Sequence, residues 1–209
     1  MTTTKAPVLP TQQRAWETRE RLLTAAVECL AEVGYAGTTT SRIQQRSGVS
    51  RGSLLHQFPS RDDLLIAAVQ HLGDERTAQV SRATAGGNAT DLDNAVDGLW
   101  STFHGTLYRA ALELWIAARH NPELAASLAP RERELGRRIK AAAAEIFGDR
   151  NAAHPRFDEL MGLLLSSMRG VALTYAFETR DPTTDPNLLT WRRLSRQMLE
   201  VGDHRKAMT

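Results

Sequence analysis

The chain has 209 residues, 42% hydrophobic and 24% charged, with a net charge of +2, which allows one large globular domain or a small domain joined to a larger one. No apolar run approaches the ~18 residues of a membrane span, and residues 1–10 lack the apolar stretch of a secretory leader, so a cytoplasmic protein without membrane contact is expected. Cys29 is the single cysteine, which excludes an internal disulfide and a thiolate zinc cluster; set among Ala25, Ala26, Val27 and Leu30, it reads as a small buried apolar residue.

In chain order, residues 1–13 are rich in Thr, Pro and Gln without periodicity and read as a flexible tail. Helical pattern begins near Arg14, with Leu23, Ala26, Val27 and Leu30 on one face and Gly34 as the stop. Thr38, Thr39 and Thr40 offer an N-cap for two helical turns that end at Gly48. Ser50 caps a short helix that finishes near Phe58, because Pro59 cannot continue it. Ser60 caps the next, with Asp63 at the capping-box position, and that helix carries Leu64, Leu65, Ala68, Val69 and Leu72.

Residues 81–90, with Gly86 and Gly87, read as a linker. Helices are expected over 92–104, 107–120, 123–147 (with Pro130 as a possible bend), 157–178 and 187–201, with a loop at 148–155. Nowhere do β-branched residues alternate with polar ones over strand length, so the fold class is all-α. The domain division expected is a tail at 1–13, a DNA-reading unit at 14–60 with its helix-turn-helix at 40–59, a connecting helix at 61–83, and a body at 91–203 for ligand binding and dimerisation.

Charge is unevenly spread. Residues 33–61 contain no carboxylate but hold Arg42, Arg46, Arg51 and Arg61, and residues 1–61 carry +4 against −2 for the rest, which together return +2. An acid-free basic segment over two short helices joined by a Gly turn suits a polyanion partner.

Four short motifs then occur in order: Arg21-Leu22-Leu23-Thr24-Ala25-Ala26, Gly34-Tyr35-Ala36-Gly37-Thr38-Thr39, Gly48-Val49-Ser50-Arg51-Gly52-Ser53-Leu54, and Phe58-Pro59-Ser60-Arg61-Asp62-Asp63-Leu64. Residues 19–72 thereby resemble the TetR family of regulators, with a looser likeness at Glu113-Leu114-Trp115-Ile116-Ala117-Ala118-Arg119. The resemblance implies a homodimeric repressor that binds double-stranded operator DNA, with no cofactor and no catalysis. Two positions depart from the family's habit: Leu55 stands where a phosphate-touching Tyr is common, and Gln57 where a His is common.

For DNA contact, Ser50, Gly52 and Ser53 are small enough for close approach, and Thr40 and Ser50 sit at helix N-termini that favour phosphate. Arg51, His56 and Gln57 are long enough to reach base edges, while Arg42 and Arg61 suit backbone phosphates. Leu164, Gly170, Val171, Trp191, Leu194 and Met198 lie on helical stripes near the C-terminus and are expected at the dimer interface, with Gly162, Ser166 and Gly170 as a line of small residues. Trp100, Phe103, His104, Leu107, Tyr108, Trp115, Met161, Met168 and Tyr175 form an aromatic and Met-rich set suited to a small apolar effector, with Glu113 and Arg119 as further polar anchors, or equally to ordinary core. No H-x-x-x-H or P-loop pattern is present and no acid–base pair stands out, so no metal site or enzyme is expected. A regulator controlled by a protein partner or by its own abundance, without a small ligand, remains the alternative reading.

Overall fold

The computed structural model describes residues 10–84 and 91–200, which form α-helices, one short 3-10 helix and, among the described residues, no strand. The helices are α1 Pro10–Gly37, α2 Thr40–Ser47, α3 Arg51–Gln57, α4 Arg61–Thr84, α5 Leu92–Ser101, α6 Thr106–Ala118, α7 Pro122–Phe147, α8 Asp149–Ala152, α9 Phe157–Thr174 and α10 Asn187–Glu200. Most of the expected tail, most of the linker, and the end of the last helix with Val201 lie outside the described residues. Within them, α1 already starts at Pro10 and α4 continues to Thr84.

Several helix ends differ from the sequence reading, for local reasons. The helix expected to His104 ends at Ser101, where the Ser101 and Thr102 hydroxyls donate to the carbonyls of Gly98 and Leu99; side chains that bond nearby backbone compete with the helical ladder. Gly105, at φ 97°, then turns the chain into α6. The helix expected to Glu178 ends at Thr174, whose hydroxyl donates to the Val171 carbonyl. Pro130 sits inside α7 without ending it, and α8 forms within the expected loop.

The chain divides into two compact units, and the division differs from the one drawn on sequence. One unit runs to Leu72 and includes Ala110–Leu128; the other holds Gly73–Arg109 and the chain from Ala129 onward. The core of the first unit is built from Leu22, Leu23, Ala26 and Leu30 of α1, Ile43 of α2, Leu54 of α3, and Leu64 and Leu65 of α4. Cys29 is fully buried there, and burial pushes its thiol pKa up.

The second unit packs α5, α9 and the buried side of α10 around Trp100, which is 2% exposed. Its ring centroid lies 5.0 Å from Trp191, 5.9 Å from Tyr175 and 5.6 Å from His104. The polar tips find partners within the unit: Trp100 Nε1 donates to the Pro182 carbonyl at 2.8 Å, Trp191 Nε1 to Ser167 Oγ at 3.0 Å and Tyr108 Oη to the Arg169 carbonyl at 3.1 Å. Tyr175 Oη donates to Asp185 at 2.7 Å, and burial with this bond raises the Tyr175 pKa to about 12. Burial pushes the Asp185 carboxyl up, but hydrogen bonds from Tyr175 and Asn187 and the Arg180 charge outweigh it and leave its pKa lowered. Arg192–Asp97 and Arg196–Asp93 pairs clamp α10 to α5.

The Ser195 hydroxyl breaks this pattern. Ser195 of α10 is fully buried, and its hydroxyl has no hydrogen-bond partner among the described residues. Ser195→Ala removes that desolvated group and should stabilise the protein by about 1 kcal/mol. A urea midpoint that falls instead of rising would show that the hydroxyl is satisfied.

Candidate nucleic-acid interface

The two short helices and their turn are held by specific contacts. Thr39 caps α2, its hydroxyl accepting from the Arg42 N–H at 3.2 Å. Gly48 closes α2 in the left-handed region, at φ 65° and ψ 21°, with its N–H on the Gln44 carbonyl. A side chain there is disfavoured twice, because a Cβ would also lie 2.9 Å from the Arg21 guanidinium. That guanidinium donates to the Ser47 carbonyl, with Nε at 3.0 Å, and so ties α1 to the last turn of α2. Ser50 caps α3 by accepting from the Ser53 N–H at 3.2 Å, and the two hydroxyls are 3.0 Å apart. Ser60 accepts from the Asp63 N–H while its own hydroxyl donates to the Asp63 carboxylate, so the expected cap forms with the acid bonded to the hydroxyl.

Leu54 and Phe58 are buried, and Arg19 of α1 stacks over the Phe58 ring at 4.6 Å. With these two facing inward, α3 must present its other side to solvent. Arg51, Gly52, Ser53, Leu55 and His56 are exposed and Gln57 is half-buried. A Cβ added at Gly52 would meet nothing within 4 Å, so this point of the surface is open. The structure thus brings Ser50, Arg51, Gly52, Ser53, His56 and Gln57 together on one short helix and its cap. Arg42 and Gln45, with Arg46, line an open recess beside them on α2.

The four arginines of the acid-free segment part company. Arg46 pairs with Glu32 and, at 3.4 Å, with Glu28, both from α1; its pKa rises through the Glu32 bond. Arg61, expected to contact phosphate, is turned inward. Its guanidinium lies 4.2 Å over the Tyr35 ring, donates to the Tyr35 and Thr38 carbonyls and pairs with Asp62. Its donors are spent on the α1–α2 turn, so it is a brace for the interface. Arg42 and Arg51 remain exposed without an ion pair among the described residues.

Tyr35 is the centre of that brace. Its hydroxyl donates to Asp62 at 2.9 Å and accepts from Asn121 Nδ2 at 3.4 Å, and its pKa is raised by burial and by the Asp62 bond. Its backbone N–H points at the Glu113 carboxylate, 3.4 Å away. Gly34, at φ 68°, makes room for the same carboxylate, since a Cβ would lie 2.8 Å from Glu113 Oε2. Glu113 was expected as an anchor for a ligand; it instead accepts from the Tyr35 N–H at the break that Gly34 makes inside α1. Sequence reasoning missed this network and the Arg19 and Arg21 clamps, because residues 26 to 86 positions apart carry no mutual signal in one sequence.

The body residues also sort differently. Trp100, Phe103, Tyr108, Met161 and Met168 are buried core of the second unit, Leu107, His104 and Tyr175 are half-buried beside it, and Trp115 belongs to the first unit. Burial, then the Arg76 charge, lowers the His104 pKa and favours the neutral ring. Of the residues expected at a subunit interface, Leu164, Trp191 and Met198 are at most 7% exposed. Their surface is used within the unit, so they have none to give a partner. Val171 and Leu194 are half-buried and Gly170 is exposed.

Comparison with known proteins accords with this geometry. Residues 22–68 match the family described as bacterial regulatory proteins, tetR family. The HTH-type transcriptional regulator BetI of Stenotrophomonas maltophilia is 38% identical over 112 residues, which is 51% of this chain and 57% of BetI. The HTH-type transcriptional regulator CymR of Pseudomonas putida is 26% identical over 166 residues, covering 77% of this chain and 80% of its own. Among solved structures, Salmonella enterica GusR superposes with a TM-score of 0.64 at 24% identity, covering 94% of this chain and all of GusR, which shows the fold. Fold and site define a helix-turn-helix, DNA-binding transcriptional regulator. Residues 22–68 are thus a helix-turn-helix domain of the tetR type, and these relatives are named as regulators, not enzymes.

Two arginine variants separate contact from brace. Arg42→Ala should weaken binding to all DNA sequences alike and lower the salt slope by about 1, leaving the melting temperature unchanged. Arg61→Ala should instead lower stability by roughly 1 kcal/mol through its ring and carbonyl contacts. The reverse pattern in salt titrations and melting curves would exchange the two roles.

Proposed function

We propose that the protein is a cytoplasmic repressor that binds a palindromic operator as a homodimer, one α3 helix in each of two successive major grooves. The observation that carries this reading is the outward face of α3: small residues and long donors on one side of a helix fixed by Leu54 and Phe58 on the other. A single seven-residue helix covers too few base pairs for tight binding, whereas a two-fold dimer presents two copies about 34 Å apart or a multiple of it. Thr40 and Arg42 on α2 and Arg51 on α3 supply the phosphate contacts that set the register.

The dimer surface fits the exposed side of α9, which carries the Gly162, Ser166 and Gly170 line read on sequence but not Leu164. Gly162, Leu163, Ser166, Gly170 and Leu173 recur there at helical spacing; Phe177, just past the end of α9, is 78% exposed, and Leu189 of α10 is 71% exposed. A Cβ at Gly162 or Gly170 would meet nothing within 4 Å, so a partner helix can approach closely. Single exposed apolar residues are ordinary, but a stripe of them marks an interaction surface.

An effector, on this reading, is a small apolar or aromatic molecule taken up at the Trp100 and Met168 cluster. It acts by favouring a conformer whose two α3 helices are wrongly spaced for DNA. Helices α4, α6 and α7 each contribute residues to both units, which makes them candidate levers. The tight packing of Trp100, Met161 and Met168 favours a second reading, a regulator that takes no small ligand, because a ligand would have to part these side chains.

Selection of duplexes from a random pool by the full-length protein tests the main claim; it should yield an inverted repeat, and enrichment of an asymmetric site or of nothing would sink it. A thermal-shift screen of apolar compounds decides between the effector readings, since the first needs a compound that both raises Tm and releases the selected duplex. For the interface, Gly170→Leu should leave the fold intact and weaken dimerisation at least ~10-fold, about 1.4 kcal/mol, in sedimentation velocity. A variant as dimeric as the parent would remove α9 from the interface.

A further inference from the structure

We propose that Leu55 is a base-reading residue that selects thymine by packing on its C5-methyl group, an inference that rests on the DNA-binding reading above. Leu55 is half exposed on the open side of α3, where the other outward residues are Arg51, Gly52, Ser53 and His56. It is therefore the apolar member of an otherwise polar or bare surface. On the helix it lies one turn beyond Arg51 and next to Gly52, since residues three and four apart are neighbours.

Gly52 has no side chain to hold the helix away, and a Cβ there would meet nothing. A base edge can thus come closer to this point of α3 than elsewhere, to the depth at which the branched end of Leu55 reaches it. Leu55 also has little local use: its neighbour Leu54 is buried and fixes the helix to the core, whereas half of Leu55 remains in water.

The chemistry of the major groove then decides what Leu55 prefers. Guanine, cytosine and adenine present only hydrogen-bonding groups there, and thymine alone adds a methyl. Against a donor or acceptor, a leucine desolvates a polar group and offers nothing in return. Against the methyl, both surfaces leave water, a gain that corresponds to about fourfold in affinity for each methyl buried. A phosphate contact is excluded for this side chain, because it has no donor. The position thus contributes sequence preference, not salt-dependent affinity.

The test uses full-length protein and a duplex it selects from a random pool. Each dT of the duplex is replaced in turn by dU, which deletes the methyl and leaves every hydrogen-bonding edge intact. The expected result is one thymine per half-site at which dU weakens binding about fourfold, with the loss absent in Leu55→Ala. Leu55→Gln, which keeps the length and adds an amide, should move the preference at that base pair away from thymine. If dU is tolerated at every position, or if Leu55→Ala weakens dT and dU duplexes equally, the proposal is overturned although DNA binding stands. If no duplex is enriched by the parent protein, the DNA-binding reading falls and takes this proposal with it.

Discussion

α3 has seven residues and α2 eight, and helices of that length are not stable in water by themselves. Their existence depends on burial of Ile43, Val49, Leu54 and Phe58, with α2 packed on α1 and α3 on α2. The same burial decides function, because fixing Leu54 and Phe58 inward leaves Gly52, Ser53, Leu55 and His56 outward. Arg19 over Phe58 and Arg21 on the Ser47 carbonyl hold each helix from its far end. The reading face is therefore a by-product of the core, and a change that loosens the core also tilts the face.

Electrostatics adds a second layer. The acid-free segment is flanked by acids at Glu28, Glu32 and Asp62, which reach back into it and claim Arg46 and Arg61. Exposed pairs of this kind add little stability, but they choose which cations stay available to a polyanion. Arg61 then contributes through Tyr35, whose ring and hydroxyl join α1, α4 and Asn121 into one braced corner. Glu113 completes that corner at the Tyr35 N–H. The DNA-reading unit thus includes Ala110–Leu128, which begins 38 residues after Leu72.

The second unit shows the same separation of inside from outside. Its large aromatic rings are closed on one another with their polar tips satisfied, and the smaller and more scattered residues of α9 form the open stripe. An aromatic and methionine-rich list taken along the chain resembles a pocket, yet Trp100, Met161 and Met168 are each at most 2% exposed. The residues with surface left for a partner include the glycines, Leu163, Leu173, Phe177 and Leu189.

Residues in local grammar determined much by themselves: the hydroxyl caps at Thr39, Ser50 and Ser60, the positive-φ glycines at 34 and 48, the apolar face of α1, and the four ordered motifs that mark the family. These are contacts within a few positions, so one sequence contains both halves of each. The tertiary structure alone decided which arginines are spent, that Glu113 serves Tyr35, that Leu164, Trp191 and Met198 turn inward, and that Leu55 stands out in water. Each of those depends on what lies opposite a side chain across the core, and a periodic pattern shows that a face is apolar without showing what will cover it.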